Sequence, residues 1–303
     1  MNLIQTRDWT HTEKDEPRGY IQPKKLTELW FHTGTACNLS CPFCLEGSKP
    51  GDDRLNRISL EDVRSYMDEA VELGVEQFSF TGGEPFVVKD IVRILEYASK
   101  LKPCLVLTNG TEPVLRREKD LLKLVGSLHP ISFRVSIDYV DEERHDAGRG
   151  KGSFANALQG MALLENLGFK VSLARQMEKG EDSNAVDEQF RQLLAAHGIS
   201  QDMTIVSFPD FLPPESLADV PAITEHCMTT YQTEANRAAY MCAFSKMLVK
   251  QNGKMVIYAC TLVDDDPRYG FTGTLKESIQ PRVMLRHHRC FSCFSFGASC
   301  SEI

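Results

Sequence analysis

The sequence predicts an α/β fold in which parallel strands form a barrel or an open part-barrel. Six short runs rich in β-branched and aromatic residues end in turn formers, and amphipathic helical patterns lie between them. This alternation favours a parallel sheet with right-handed crossovers, and so many consecutive units favour a curved sheet over a flat one. In such folds the chemistry lies at the carboxyl ends of the strands.

The first predicted strand covers residues 29–34, and five more follow at 75–83, 103–110, 131–138, 169–176 and 203–209. A helix is predicted from Ser59, which caps it together with Asp62, to the stop signal Gly74. A second helix has Ser153 as its predicted cap and Gly168 as its stop. Two further helices fit residues 90–101 and 185–198.

Composition divides the chain into three parts. Residues 1–25 are polar, contain two prolines and are predicted to be an irregular lead-in, whereas 26–210 hold the strand–helix units. Residues 211–303 begin in a proline-rich linker at 210–221 and contain most of the cysteines, at 227, 242, 260, 290, 293 and 300. Within this last part, 245–260 predict a β-hairpin that turns at Asn252-Gly253, a type I′ signal.

Charge and hydropathy exclude several classes of protein. The net charge of −8 argues against a broad nucleic-acid surface. Apolar runs are too short to span a bilayer, and the first residues lack the pattern of a secretion signal. We therefore expect a cytoplasmic protein with no nucleic-acid or membrane partner. In that reducing compartment, ten cysteines indicate metal or redox chemistry more than disulfides.

Three cysteines, Cys37, Cys41 and Cys44, directly follow the first predicted strand. Structural zinc sites usually take four ligands, and a four-iron cluster also normally takes four cysteines. Three thiolates on one tight loop therefore suit an iron–sulfur cluster that leaves one iron open to a ligand. A zinc knuckle or a group of buried thiols is the alternative.

The CxxxCxxC spacing, with Phe43 before the last cysteine, resembles the radical S-adenosylmethionine (radical SAM) superfamily. The resemblance implies a partial (β/α)6 barrel of the TIM type and a 4Fe–4S cluster whose open iron is chelated by SAM. It also implies reductive cleavage of SAM to a 5′-deoxyadenosyl radical, which abstracts hydrogen from the substrate. Phe43 would pack beside the cluster, near the adenine.

A second motif, Thr81-Gly82-Gly83-Glu84-Pro85, follows the second strand and resembles the GGEP element of the same superfamily. The resemblance implies that Thr81 and the glycines hold the methionine end of SAM through exposed backbone groups. Glu84 would accept from the SAM ammonium in a charge-assisted hydrogen bond. Taken by itself, the stretch fits an ordinary strand-to-helix turn.

Further cofactor contacts are implied at the ends of the next three strands. Asn109 and Ser136 resemble family positions near the ribose and methionine. Arg175 could pair with the SAM carboxylate or with substrate, and an ordinary ion pair is the alternative. Arg149, after the fourth strand, fits a ligand role and a solvated surface position equally well. The family's GxIxGxxE signature is absent from strand five, so the adenine contacts stay unassigned.

The C-terminal cysteines allow two interpretations. Cys242, Cys260 and the CxxC pair Cys290 and Cys293 could close a tetrahedral zinc site. Their order also resembles the twitch domain, a shortened relative of the SPASM extension that carries one auxiliary 4Fe–4S cluster. The hairpin and a short predicted helix at 273–280 match that pattern, whereas six residues in place of four between Gly253 and Cys260 depart from it.

Two ligand sets for the auxiliary cluster remain open. Spacing favours the four cysteines just named, which would leave no iron free, whereas a set that includes Cys300 would leave an iron open to substrate. Cys104 and Cys227 are expected to be small packed side chains.

We therefore expect a radical SAM oxidoreductase. Hydrogen abstraction leaves a substrate radical, and loss of one more electron to a nearby cluster completes a two-electron oxidation. A small-molecule substrate is favoured, because only about 25 residues precede the first strand, fewer than the leader-binding module that many peptide-modifying members carry. An external donor such as flavodoxin or ferredoxin would supply the electron.

Three other classes stay open from the sequence. The first is a peptide-modifying maturase that forms a crosslink, a thioether or an epimer. The second is an activase that installs a glycyl radical on a partner enzyme, although its cluster-insert pattern is absent. The third is a non-enzymatic zinc-binding scaffold.

Overall fold

One continuous nine-stranded sheet organises the computed structural model, which describes residues 7–209 and 219–297. The strands in chain order are β1 (Tyr20–Ile21), β2 (Glu28–His32), β3 (Gln77–Thr81), β4 (Cys104–Thr108), β5 (Ile131–Ser136), β6 (Lys170–Met177), β7 (Ile205–Pro209), β8 (Ser245–Gln251), β9 (Lys254–Tyr258), β10 (Gly270–Phe271) and β11 (Val283–Met284). The sheet order is β10-β9-β8-β2-β3-β4-β5-β6-β7, and β1 pairs separately with β11.

Helices cover the parallel part of the sheet and connect its strands. In chain order they are α1 (Arg7–Thr10), α2 (Leu60–Glu72), α3 (Ile91–Leu101), α4 (Glu112–Leu115), α5 (Glu118–Leu121), α6 (Glu142–Arg149), α7 (Ser153–Asn166), α8 (Ser183–Ala196), α9 (Glu225–Thr230), α10 (Glu234–Ala238), α11 (Met241–Phe244), α12 (Leu275–Ser278) and α13 (His288–Phe296). The six predicted strands correspond to β2–β7, which pair in parallel and in chain order. No helix in the described ranges has the length and apolar character needed to cross a bilayer.

Alternation along β2 separates an apolar face from a polar one. Leu29 and Phe31 are fully buried, and Phe31 stacks on Phe80 of β3 with ring centroids 5.1 Å apart. The intervening residues Glu28, Trp30 and His32 are also buried, on the opposite face. Both faces of the parallel strands are therefore covered, as expected of a barrel wall.

Local signals explain where the helices begin. Ser59 and Asp62 form the predicted capping box of α2, and Gly74 takes a φ of +87° just after its end. The prediction at α7 was wrong: Gly152 is the N-cap and Ser153 lies inside the helix. Asp146 accepts from the backbone N–H groups of Gly152 and Phe154, so a carboxylate from α6 serves this helix end.

The C-terminal region extends the barrel sheet. The predicted hairpin is formed by β8 and β9, with φ values of +50° at Asn252 and +74° at Gly253, as a type I′ turn requires. Strand β8 pairs in parallel with β2, so the extension and the barrel share one hydrogen-bonded ladder. The predicted linker at 210–221 lies mostly outside the described residues, as does Cys300.

The lead-in is more ordered than its composition predicts. It contains α1 and β1, and β1 pairs with β11 near the end of the chain. Trp9 of α1 is buried and packs edge-on against Tyr269, with ring centroids 4.9 Å apart. The prediction of an irregular segment failed because its partners lie more than 200 residues away in sequence.

Candidate active site

A cavity of about 260 Å³ opens at the carboxyl ends of the parallel strands. It brings together nearly every residue that the sequence analysis assigned to the first cluster and to SAM. Those that line it are Cys37, Cys41, Phe43, Cys44, Thr81, Gly82, Gly83, Asn109, Ser136 and Arg175. Glu84 is the exception, since it is fully buried and is not part of the lining.

The loop that carries the three cysteines is held by its own turns and by β4. Cys44 N–H donates to the carbonyl of Cys41 at 3.1 Å, and Asn109 Nδ2 lies 3.8 Å from Cys37 Sγ. Burial raises the pKa of all three thiols, that of Cys37 to about 12. Thiolates here therefore need a bound cation, and three soft ligands on one cavity wall fit an iron–sulfur cluster.

Gly82 and Gly83 allow the strand end to lie against the segment that leads into Cys37. Gly83 N–H donates to Gly34 O at 2.8 Å, and a Cβ on Gly83 would lie 2.4 Å from Ala36 O. Gly82 has a φ of +137°, in the region that favours glycine. The two glycines are thus required by close backbone packing, and they also form part of the cavity wall.

Glu84 lies behind this wall and ties it to β4. Its carboxylate accepts from Phe86 N–H at 3.0 Å, from Thr108 Oγ1 at 2.8 Å and from Asn109 N–H at 2.7 Å. Burial raises the pKa of Glu84 to about 7, against the opposite effect of these bonds. Its predicted contact with the SAM ammonium stays a prediction.

A buried ion pair, missed by the sequence analysis, also lines the cavity. Arg149 donates to both carboxylate oxygens of Asp138, at 2.5 and 2.8 Å, and its guanidinium carbon lies 5.7 Å from the centre of the Phe43 ring. Burial opposes the charge of Arg149, but Asp138 outweighs this and raises the pKa of Arg149. A cation thus faces the three-cysteine loop. The sequence signals for this pair were Asp138, shortly after β5, and Arg149, at the end of α6.

Arg175 adopts the ion-pair alternative. Its fully buried side chain donates to Glu181 at 2.6 Å and to Asp187 at 2.7 Å. Both carboxylates belong to the segment that starts α8, so the guanidinium fixes the connection after β6. We no longer expect Arg175 to bind the SAM carboxylate, although the residue forms part of the cavity wall.

Four cysteines line a second cavity in the C-terminal region. Cys242 lies in α11 and Cys260 follows β9, whereas Cys290 and Cys293 lie one turn apart in α13. Every lining residue belongs to the described part of the chain, and none is a carboxylate. This soft set fits zinc or an iron–sulfur cluster better than a hard cation.

A buried polar network connects the two cysteine sites. Arg289 of α13 donates from Nη2 to Leu45 O at 2.9 Å, next to Cys44, and from Nη1 to Leu262 O at 3.1 Å, two residues after Cys260. One side chain therefore bonds to the first cysteine loop and to the loop after β9. Its position just before Cys290 was the one sequence signal for this role.

His32, Glu46 and Asp264 lie beside this arginine. His32 Nε2 lies 3.0 Å from Glu46, and His32 Nδ1 accepts from Gly34 N–H at 3.2 Å, which assigns the proton to Nε2. Burial raises the pKa of Asp264 to about 7, and Glu46 adds to that shift. Both ring nitrogens of His32 therefore have partners within the protein, and this His32 junction lies at the end of β2, within electrostatic reach of Arg289.

The site geometry and a family comparison agree. A family model described as the radical SAM superfamily matches residues 31–180, which hold the three-cysteine loop and the glycine motif. The chain belongs to the radical SAM superfamily. Members are enzymes that use a 4Fe–4S cluster and SAM, so the predicted enzyme class and these two cofactors are confirmed.

Two curated radical SAM relatives match over part of their length. AlbA of Bacillus subtilis, named as an antilisterial bacteriocin subtilosin biosynthesis protein, is 38% identical over 146 residues, which are 48% of this chain and 32% of AlbA. The mycofactocin maturase MftC of Mycolicibacterium smegmatis is 30% identical over 189 residues, 62% of this chain and 45% of MftC. The matched stretch spans less than half of either relative.

Solved structures support the fold over more of the chain. Streptococcus suis SuiB, crystallised with S-adenosylmethionine, superposes with a TM-score of 0.63 and 15% identity over 85% of this chain and 66% of SuiB. SuiB has also been crystallised with its precursor peptide SuiA. The likeness confirms the partial barrel fold of this radical SAM protein.

Proposed function

We propose that this radical SAM enzyme oxidatively modifies a peptide, with a SAM-binding cluster at Cys37, Cys41 and Cys44. The observation that carries the proposal is that both cysteine regions contribute to one cavity. Thr261 and Leu262 directly follow Cys260, and they line the same cavity as the three-cysteine loop. A substrate bound there would contact both regions.

The peptide class rests on the relatives. AlbA is named for bacteriocin biosynthesis, MftC is named a maturase, and SuiB has been crystallised with a precursor peptide. These likenesses outweigh the preference for a small molecule that the sequence analysis drew from the short lead-in. A small-molecule substrate is the second candidate, and the limited cavity volume of about 260 Å³ favours it.

We assign an auxiliary 4Fe–4S cluster to Cys242, Cys260, Cys290 and Cys293, which converge on one carboxylate-free cavity. When bound, the two clusters and SAM supply a hydrogen-abstracting radical and an acceptor for one further electron. An external donor such as flavodoxin or ferredoxin would deliver the initiating electron.

The chain's own residues hold and shield the reactants. Backbone groups of Thr81, Gly82 and Gly83 would hold the methionine end of SAM, and Phe43 would pack near its adenine. Asn109 and Ser136, at the ends of β4 and β5, would contact the ribose or the methionine of SAM. Apolar side chains on the remaining wall exclude water from the reacting carbon; they include Trp30, Leu107 and Phe208.

Replacing Cys41 by Ala should abolish 5′-deoxyadenosine formation, because a cluster ligand is lost. The measurement is chromatography of SAM products after anaerobic reconstitution and reduction. Cys104→Ala is the matched control, since this buried thiol lies in β4 outside both cavities. Wild-type 5′-deoxyadenosine formation by C41A would overturn the assignment of the first cluster.

Substrate class is tested by co-expression with a precursor peptide encoded beside the gene. A peptide that loses two hydrogens, with or without a new crosslink, supports the proposal. A change of configuration at unchanged mass would support the peptide class and contradict the oxidative outcome. An unchanged peptide, together with 5′-deoxyadenosine formation stimulated by a small metabolite, would overturn the peptide class and support the second candidate.

A further inference from the structure

A buried lysine lies beside the four-cysteine site without an acidic partner in residues 7–209 and 219–297. Lys246 of β8 is only 2% exposed. Its Nζ donates to the carbonyl oxygens of Cys242, at 3.4 Å, and of Ser245, at 3.2 Å. Buried ammonium groups are normally paired with an anion, because removing an unpaired charge from water is costly.

The ionisable groups that act on this lysine are cysteines. Burial lowers the pKa of Lys246 to about 8, whereas Cys242 and Cys260 act in the opposite direction. The Nζ of Lys246 is hydrogen-bonded to the backbone of Cys242, which is one of the four proposed ligands. An anionic metal–thiolate group at these cysteines would supply the missing counter-charge.

A second polar group at the same site also lacks a partner. Tyr240 is 3% exposed and lines the four-cysteine cavity, and its hydroxyl makes no hydrogen bond within the described ranges. Buried hydroxyl groups are nearly always hydrogen-bonded. The same cavity is lined by Cys242, Cys260, Cys290 and Cys293. A sulfur acceptor at the metal group would satisfy the hydroxyl.

We propose that Lys246 and Tyr240 are the counterion and the hydrogen-bond donor of the auxiliary iron–sulfur cluster and that together they raise its reduction potential. The proposal rests on the auxiliary cluster of the proposed function. Both groups stabilise the more negative, reduced state, because a fixed positive charge and a hydrogen bond to sulfur each offset added electron density. Lys246 and Tyr240 are thus positioning residues that adapt the cluster to accept an electron.

The test uses full-length protein in which Cys37, Cys41 and Cys44 are replaced by Ala, so that the auxiliary cluster is measured separately. Anaerobic potentiometric titration is followed by electron paramagnetic resonance. We expect Lys246→Met to lower the reduced-to-oxidised ratio at a fixed potential about tenfold, which is about 59 mV for a one-electron couple. Lys250→Met is the matched control: this lysine is on the same strand but pairs with Asp62 at 2.7 Å.

Two further variants keep the test decisive if K246M loses its cluster. Lys246→Arg retains the charge and should keep the potential near that of the parent. Tyr240→Phe removes only the hydroxyl and should shift the potential in the same direction as K246M, by a smaller amount. Potentials equal to the parent in Y240F and K246M, or a shift of equal size in K250M, would overturn the proposal.

Metal analysis of the parent protein, in which Cys37, Cys41 and Cys44 are replaced by Ala, separates this proposal from the proposed function. About four irons and about four sulfides per chain establish the auxiliary cluster, and the titrations then decide the roles of Lys246 and Tyr240. Zinc without sulfide would overturn the auxiliary cluster and this proposal with it, while leaving the first cluster to be judged by the C41A experiment.

Discussion

Single residues behind the cavity wall decide whether the wall can form. Glu84 is an example, because its carboxylate joins the end of β3 to the end of β4 through two hydrogen bonds, from Thr108 Oγ1 and Asn109 N–H. Gly83 is another, because its missing side chain admits the carbonyl of Ala36. The sequence marked both positions through one motif, but it predicted direct cofactor contacts and gave no sign of these supporting roles.

Glu84 should make stability depend on pH. Its pKa is raised from 4.5 to about 7, so the folded chain binds more protons than the unfolded chain between these values. The free energy of unfolding should therefore fall as pH rises through that window, by up to about 3 kcal/mol. Glu84→Gln should remove this dependence on pH. It should also lower the free energy of unfolding by about 1–3 kcal/mol at pH 5, because the amide nitrogen of Gln cannot accept a hydrogen bond that a carboxyl oxygen of Glu84 accepts.

Anaerobic denaturant unfolding at several pH values measures this effect. Glu61→Gln is the control, since this α2 carboxylate is 70% exposed and pairs weakly with Arg93 at 3.3 Å. Parallel stability curves for wild type and E84Q would show that Glu84 does not titrate in this window.

A methyl group at Gly83 should disrupt the three-cysteine loop. The added Cβ would lie 2.4 Å from Ala36 O, so the backbone must move. We expect Gly83→Ala to lower the free energy of unfolding by about 1–3 kcal/mol and to lower iron content. Gly74→Ala is the control, because its Cβ meets open space and only its φ of +87° opposes substitution. Full iron content in G83A would contradict this account.

At the scale of elements, local signals predicted strands β2–β9 and the four longest helices of the described residues, α2, α3, α7 and α8. The capping box of α2 and the Asn-Gly turn of the β8–β9 hairpin were correct because each depends on residues within one turn. The cap of α7 and the lead-in were wrong because their partners lie in another element, Asp146 in α6 and β11 near the chain end. Contacts of this kind leave no periodic trace in the sequence.

The start of α7 offers a test of that distinction. Asp146→Ala should lower the free energy of unfolding by about 1–2 kcal/mol, since two backbone N–H groups lose their acceptor. Ser153→Ala should cost much less, because Ser153 is not the N-cap. Thermal or denaturant unfolding measures both, and a larger loss in S153A than in D146A would restore the original cap assignment.

For the whole molecule, the important feature is that the two cysteine sites are supported by the same sheet and by the same buried arginine. The sequence analysis identified both sets of cysteines and the cavity residues near the three-cysteine loop. It did not identify Arg289, Lys246 or the His32 junction. These groups come together only after strands far apart in the chain have paired. Their roles are inferred from burial and from contacts in the folded chain, which the spacing of residues along the sequence does not reveal.

Arg289 is where this coupling can be measured. Arg289→Met removes two buried hydrogen bonds, to Leu45 O and Leu262 O, and should lower the free energy of unfolding by about 3 kcal/mol. Iron content should fall in both cysteine sites, because both loops lose the same support. Arg286→Met is the control, a partly exposed arginine whose surface pair with Asp8 is weak. Iron loss confined to one site would argue against a shared support.

The ladder between β2 and β8 has a dynamic consequence. Amide protons in these two strands should exchange with solvent as one cooperative unit, since opening either strand breaks the bonds of the other. Oxidative damage that loosens the hairpin would then reach the barrel wall next to the first cysteine loop, and air-exposed protein would lose both proposed metal groups in a single event.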